Sequence, residues 1–480
     1  LAFGEETGNV FISEPMIKLK KIVTHLDDSI YKTIEETLIR NKADNFLFLL
    51  QSYRNSDIKD AEITAALKIN SNSLYVLKSR LNDKIQGHLS GDIHSSREEV
   101  LKQLHQIPEI CFGSSREVAT SFLQKLEKDL LAYDMHNELL VVYSALKKIH
   151  VYSDRYFHYS QLYNKHTAFN ISLEKCEEIL GSFNRALAQY DFSRSPRLME
   201  TLHFLNKELS DHYALHSSRQ IGLIKNMLEL ELAIFFSYEL EVPEVLQRTE
   251  KMIEELPESS LHKHWANALN YLAFEYFRKT GQSKQAQAYL DRINPLSGTL
   301  LLYTNVCLTS RFLISRLCFF QEQNRLEELL EEDTSQLLYD PSDVHAGVLL
   351  GLYNAMIAYY RKNYKEAAAK LNEIINSNSF KDYFHINTEV RLTLAFVYLT
   401  LKEYDMADSL LKNIYRKIKS EDLSSYTNVL DLIKIFNADI KQNGKVSAKQ
   451  KDDFILFLAR NVNESKLLNH LEHELKKKYS

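Results

Sequence analysis

The side chains best able to do chemistry in this 480-residue chain are its 17 histidines, four cysteines and numerous carboxylates. Two histidine pairs share a helical face by spacing: His212 with His216, and His470 with His473 beside Glu472. Two imidazoles one helical turn apart are the beginning of a zinc site, but neither pair has a third ligand at a matching interval. They read as solvated or hydrogen-bonded histidines. In "LHKHW", His262 and His264 alternate ahead of Trp265 and point to different faces, so a metal reading fits them less well. Three stretches, "SSREEVLKQL" from 95, "SSREVATSFL" from 114 and "SSRQIGLIKN" from 217, repeat a serine with an acid or amide three residues on. That is the spacing of a capping box, with Ser95 and Glu98, Ser114 and Glu117, and Ser217 and Gln220 closing the free amides of a helix start. Cys111, Cys176, Cys307 and Cys318 lack any C-x-x-C spacing and lie in apolar helical contexts, as expected of buried free thiols in a reducing compartment. No P-loop, strand-borne G-x-G-x-x-G, G-x-S-x-G or H-E-x-x-H is written in the chain, and "LEELLEED" at 326–333 reads as a solvated helix face. The expectation is a protein without catalysis, cofactor or metal.

The elements that would carry these residues are helices. The chain holds only 12 glycines and 7 prolines, against roughly 34 and 24 at average usage, so interior helix breakers are scarce. A net charge of -5 argues against a generally basic nucleic-acid coat. The longest nearly uninterrupted apolar run, at 348–360, is too short to span a bilayer and contains Asn354. A cytoplasmic protein without membrane association is expected.

Within the helical pattern two stretches repeat. "AYYRKNYKEAAAKLNEII" at 358–375 aligns with "VYLTLKEYDMADSLLKNI" at 397–414 on Tyr364 and Tyr404. Ala367 then meets Ala407, Leu371 meets Leu411, Ile374 meets Ile414, and upstream Ala355 pairs with Ala395 and Lys362 with Lys402. Small residues allow close helix approach, and Leu and Ile one and two turns later bury the second helix of each hairpin. A third copy at 271–295 turns at Gly281 and places Ala286, Leu290 and Ile293 at the same offsets, with Pro295 after the helix. Two weaker copies keep the rhythm, one of them with Glu where Ala is expected. Pro257, Pro295 and Pro341 stand near the ends of successive second helices. Five hairpins from about 219 to 418 thus fit one register.

This pattern resembles the tetratricopeptide repeat, in a lengthened and degenerate form with a spacing nearer forty residues than 34. The resemblance implies an all-α, right-handed α-α superhelix. The divisions expected are a helical region over 1–92, degenerate hairpins over 93–218, repeats over 219–420 and capping helices over 421–480. It also implies a groove lined by the first helix of each hairpin, where a peptide or helix of a protein partner would bind. Mapped onto the two best copies, that face holds Leu349, Leu352, Met356 and Tyr359, then Glu389, Leu392, Phe396 and Leu399. Such apolar residues at helical spacing suit a core equally well, or a groove filled by the chain's own C-terminal helices. The two final helices are expected to divide near Asn463, with Lys476, Lys477 and Lys478 completing the last helix dipole.

A second surface is written at 59–86. A helix ending at Leu67, a polar turn through Asn70 and Asn72, and a second helix with Leu74, Leu77 and Leu81 inside resemble a helix-turn-helix. Tyr75, Lys78, Ser79, Arg80 and Lys84 would then face DNA. Lys68 stands where that family's turn carries glycine, Thr64 stands where Ala is usual, and six basic against four acidic residues over 51–90 supply few phosphate contacts. The leading expectation is a protein-interaction scaffold, and the alternative a transcription regulator holding DNA with this hairpin.

Overall fold

The computed structural model describes residues 19 to 480 except 25, 27, 56–57, 92–95, 217, 237, 257–259, 294–307, 332–343, 378–379, 381–382, 421–422 and 464–466. Every regular element among the described residues is helical. By internal contacts the chain divides into two units, 1 to 160 and 161 to 480.

In the first unit the helices are α1 (Leu19–Thr24), α2 (Asp28–Arg40), α3 (Asp44–Asn55), α4 (Asp60–Leu67), α5 (Ser71–Gly91), α6 (Ser96–His105), α7 (Ile107–Gly113), α8 (Arg116–Ala132) and α9 (His136–Ile149). Helices α1 to α5 close on a core that includes Val23, Ile34, Leu49, Leu50, Ile63, Leu81 and Ile85. Around α8 and α9, Leu123, Leu126, Leu139, Val142 and Leu146 are fully buried.

The long α10 (Arg155–Ser193) leads into the second unit, followed by α11 (Pro196–Leu215), α12 (Arg219–Phe236), α13 (Val242–Glu254), α14 (Ser260–Lys279), α15 (Ser283–Leu290), α16 (Leu308–Glu322), α17 (Glu327–Leu330), α18 (Val344–Tyr360), α19 (Tyr364–Ser377), α20 (Phe384–Leu401), α21 (Tyr404–Ser420), α22 (Thr427–Lys441), α23 (Ala448–Asn463) and α24 (Glu472–Tyr479). Neighbours in sequence pack as neighbours in space from α11 to α15 and again from α18 to α23. The repeated small residues do what their size requires: Ala355, Ala395, Ala367, Ala407 and Ala286 are buried at the helix contacts, with Leu371, Leu411, Ile374, Ile414, Leu290 and Ile293 one and two turns on. Each fully buried Leu or Ile contributes about 1.5–3 kcal/mol over its exposed state. Gly351 permits a close approach, because a Cβ there would stand 2.9 Å from Ile374 Cγ1 on α19.

One turn recurs in both units. At Lys42, Lys68, Asp134, Gly281, Asn324, Lys362, Lys402 and Asn443 the backbone is left-handed. The amide of each donates three residues back and the next amide five back, as in Lys362 to Tyr359 and Asn363 to Ala358. This is the Schellman end of a helix, which satisfies carbonyls the helix leaves open. Lys362 and Lys402 are therefore matched by backbone geometry as well as by letter. Aligned on Asn324, the weaker copy puts Leu329, not Glu, at the position of Ala367, and Leu329 is buried.

At α8 the cap differs from the expected one by one residue. Ser115, not Ser114, caps α8, its Oγ accepting from the Val118 amide at 3.4 Å. Ser218 Oγ accepts from the Ile221 amide at 3.2 Å, and Ser217, Ser95, Cys307 and the three spacing prolines lie outside the described residues. A capping box absent from the expectations joins Ser447 and Gln450, whose side chains and amides pair reciprocally at 2.9 and 3.4 Å.

Candidate binding site

Both the repeat copies and the apolar first-helix face lie in the second unit, and the structure fills that face with the chain's own end. Helix α23 runs through Asn463; a 3-10 turn at Asn469–Leu471 leads into α24, whose N-cap position is Leu471. Leu467, Leu468, His470, Leu471, Leu475 and Tyr479 are all buried. The Leu468 amide donates to Glu389 Oε1 at 3.0 Å, and His470 Nδ1 lies 3.5 Å from the same oxygen. The Thr393 hydroxyl donates to the Glu389 carbonyl, leaving its oxygen to face His470 Nε2 at 3.0 Å. Both ring nitrogens of His470 thus face acceptors. Its carbonyl accepts from Gln321 Nε2 and the Tyr360 hydroxyl, at 3.4 and 3.5 Å. Further along, Lys478 Nζ and the Tyr479 hydroxyl donate to the fully buried Asp439 at 2.5 and 2.9 Å, and Tyr479 packs on Phe436 and Phe454.

These contacts shift the ionisable groups. Burial acts to raise the Glu389 carboxyl, but the hydrogen bond and charge of His470 and the Leu468 amide outweigh it and hold the group at about 2. Lys478 is more than a dipole complement, because its ammonium also lies 5.8 Å above the Phe396 ring.

Beside the docked segment lies a cavity of about 710 Å³. Its wall takes Asp191 and Arg194 from the end of α10, Phe235 and Phe236 from α12, Glu275, Arg278 and Lys279 from α14, and Arg311, Ser315, Cys318 and Glu322 from α16. Leu349, Leu352, Ile386, Glu389 and Tyr426 complete it, with His470 and Glu472 of the terminal segment. Arg194 Nε–H donates to His385 Nε2 at 3.4 Å, which leaves Nδ1 to face the Tyr426 hydroxyl at 3.2 Å. Burial, and then the Arg194 charge, lower the His385 imidazole to about 3. Burial pushes the Cys318 thiol up to about 12, which leaves it protonated and unreactive.

Of the residues assigned to the partner groove, Leu349, Leu352 and Glu389 line this cavity. Met356, Tyr359, Leu392, Phe396 and Leu399 do not form an open surface: all are buried, with Tyr359, Phe396 and Phe436 in ring contact. The physical reason is that the terminal segment and α22 lie on the face that an open groove would present. The charged members of the cavity escaped the sequence reading, although Arg311 in "SRFLISRLCFF" and Glu275 in "LAFEYFRK" sit among apolar residues at helical spacing.

In the first unit, α4 ends at Leu67 and α5 begins at Ser71 after a short turn. Lys68 takes the left-handed turn without glycine at φ 53°, Asn70 caps Ser73 at 2.8 Å, and Asn72 already belongs to α5. Leu74 and Leu81 are buried and Leu77 half-buried. Tyr75, Ser79, Arg80 and Lys84 are exposed. Lys78 is not: it is half-buried, bonded to both oxygens of Asp60 at 2.7 Å and placed over Tyr53. It fastens α5 to α4.

Among the described residues, no group of three or more His, Cys, Asp or Glu is arranged to hold a metal ion, and no helix is long and apolar enough to cross a membrane. His212 Nδ1 lies 3.1 Å from Ser172 Oγ, and His216 packs edge-on to Phe169. Cys176 and Cys318 are buried free thiols, whereas Cys111 is half-buried. No protein-family model, no curated protein and no solved structure matches the chain.

Proposed function

We propose that the second unit is a tetratricopeptide-like superhelix that acts, without catalysis, by binding an amphipathic helix of a protein partner on the first-helix face of α16, α18 and α20. One observation carries this reading: that face already holds residues 467–471 of the same chain, the 3-10 turn leading into α24, by side-chain and backbone hydrogen bonds rather than by apolar contact alone, while α24 itself is tied to Asp439 on α22. A partner would repeat its chemistry, with leucines one turn apart, a hydrogen-bond donor for Glu389, and a cation and an aromatic hydroxyl for Asp439. The nearby cavity supplies binding charges rather than a poised nucleophile, since Cys318 stays protonated. The test is to label a synthetic 467–480 peptide and measure its anisotropy with the full chain carrying His470→Ala and Tyr479→Ala. Saturable binding to the variant and none to the wild type is expected; no binding to a folded variant would make the contact internal packing only.

A second reading rests on α5, where Tyr75, Ser79, Arg80 and Lys84 are exposed over the outer half of the helix behind a tight turn. It assigns DNA binding to the first unit. Arg80→Glu with Lys84→Glu should then abolish retention on DNA at moderate salt, and unchanged retention would remove this reading.

A further inference from the structure

The cavity beside the docked segment has a wall in which five carboxylates stand with four Arg and Lys side chains, and these groups are largely engaged with one another. Asp191 lies 3.7 Å from Arg194 Nη1 and contacts Arg311 Nη2. Arg278 is held between Glu275 at 3.0 Å and Glu322 at 3.2 Å. Glu472 pairs with Lys476 at 2.6 Å, and Glu389 accepts from the Leu468 amide at 3.0 Å. Lys279 donates to the Ile234 carbonyl at 2.9 Å. Such a wall presents no strong field of either sign. It offers the lone pairs and N–H groups that its ion pairs leave over, which suits an uncharged polar ligand.

Two of those leftover groups belong to one ion pair. Among the described residues, the buried atoms Glu275 Oε1 and Arg278 Nε have no hydrogen-bond partner, and Glu275 has no exposed surface. Arg278 Nη2 donates to the other oxygen, Oε2, so one bond joins the pair while an acceptor and a donor stay open beside it. Ser315, also in the wall, helps hold the carboxyl ionised without closing Oε1. A buried donor and acceptor left unmet are costly to a protein unless something completes them. Hydroxyl groups do both, giving a proton to Oε1 and accepting from Nε–H. The volume of about 710 Å³ is that of a small-molecule site, and the rings of Tyr190 and Phe236, edge-on to each other at 5.2 Å, give it an apolar side.

We propose that this cavity binds a neutral polyhydroxyl compound, a sugar or cyclitol, with its hydroxyls meeting Glu275 Oε1 and Arg278 Nε and its C–H face lying against Tyr190 and Phe236. This site is separate from the helix-binding role of the first-helix face. Trp265, the only tryptophan of the chain and a core residue of the same unit, reports its unfolding by fluorescence. Thermal unfolding of the full chain would be followed with D-glucose, D-ribose, maltose or myo-inositol, and with malate as a charged hydroxy compound at the same concentration. A concentration of about 5 mM keeps the general stabilisation by excluded sugars small.

At least one of the four neutral probes is expected to raise Tm by about 2 °C more than malate does. That increment should vanish in Glu275→Gln, an isosteric change that keeps an oxygen for Arg278 and turns the open acceptor into an NH₂ donor. Arg278→Lys, which keeps a cation for Glu275 and Glu322 but removes the Nε donor, gives the same test should Glu275→Gln not fold. No increment from any neutral probe, a malate increment as large as theirs, or an increment that persists in either folded variant would overturn the assignment.

Discussion

His385 should make the second unit lose stability as the solution turns mildly acidic. The imidazole is buried, accepts from Arg194 Nε–H and faces the Tyr426 hydroxyl, so a second proton would sit on Nε2 against a guanidinium. Its folded pKa is lowered to about 3 by burial and then by Arg194, against an unfolded value of about 6.5. The sign follows from proton counting: between those values the unfolded chain binds the proton and the folded chain does not, so stability falls as pH falls below about 6.5. Above it both states are neutral and the group contributes nothing. At pH 5 the loss is about 2 kcal/mol relative to pH 8, from roughly 1.4 kcal/mol per unit over the 1.5 units below 6.5. Urea unfolding followed by Trp265 fluorescence isolates this unit, and His385→Gln supplies a non-titrating amide that can still accept from Arg194. The difference in unfolding free energy between pH 8 and pH 5 should be smaller in the variant by about 2 kcal/mol. Equal pH dependence in the two proteins would refute the reasoning.

Three further outcomes follow from packing and backbone geometry. Met356→Glu places a carboxylate at a fully buried position and should unfold the second unit or cost at least about 3 kcal/mol, read by urea unfolding; a stable variant would mean the face is open. Lys402→Gly relieves a left-handed backbone at φ 61° on an exposed turn and should stabilise by up to about 1 kcal/mol, less the added freedom of the unfolded chain. Gly351→Val drives a branched side chain into Ile374 and should lower stability by about 1–3 kcal/mol, whereas Gly113→Val, with nothing within 4 Å, should not produce that packing loss.

What was legible in the sequence was local. Ala367, Leu371 and Ile374 with their counterparts announce a buried helical face because periodicity and size act within a few turns. The doubled serines announced helix starts, yet the doublet at 114 offers two caps, and backbone geometry selected Ser115. The left-handed turns were hidden because Gly281 alone carries glycine among the eight, the others being Lys, Asp and Asn. Lys78 looked like a DNA contact because its partner Asp60 stands 18 residues away. What fills the first-helix face was beyond periodicity for the same reason: the pairs that dock the terminal segment span 39 to 149 residues. The cavity draws its charges from α10, α14 and α16, and no local pattern brings those together.

The claim that the first-helix face binds a helix is tested most directly by amide hydrogen exchange of residues 467–479 in the intact chain. A docked ligand in cis predicts that these amides exchange together, by a local opening of lower free energy than the unfolding that exposes α18 and α20. Exchange of 467–479 only at the rate of the α18 and α20 core would contradict it, and would make the terminal segment an inseparable part of that core.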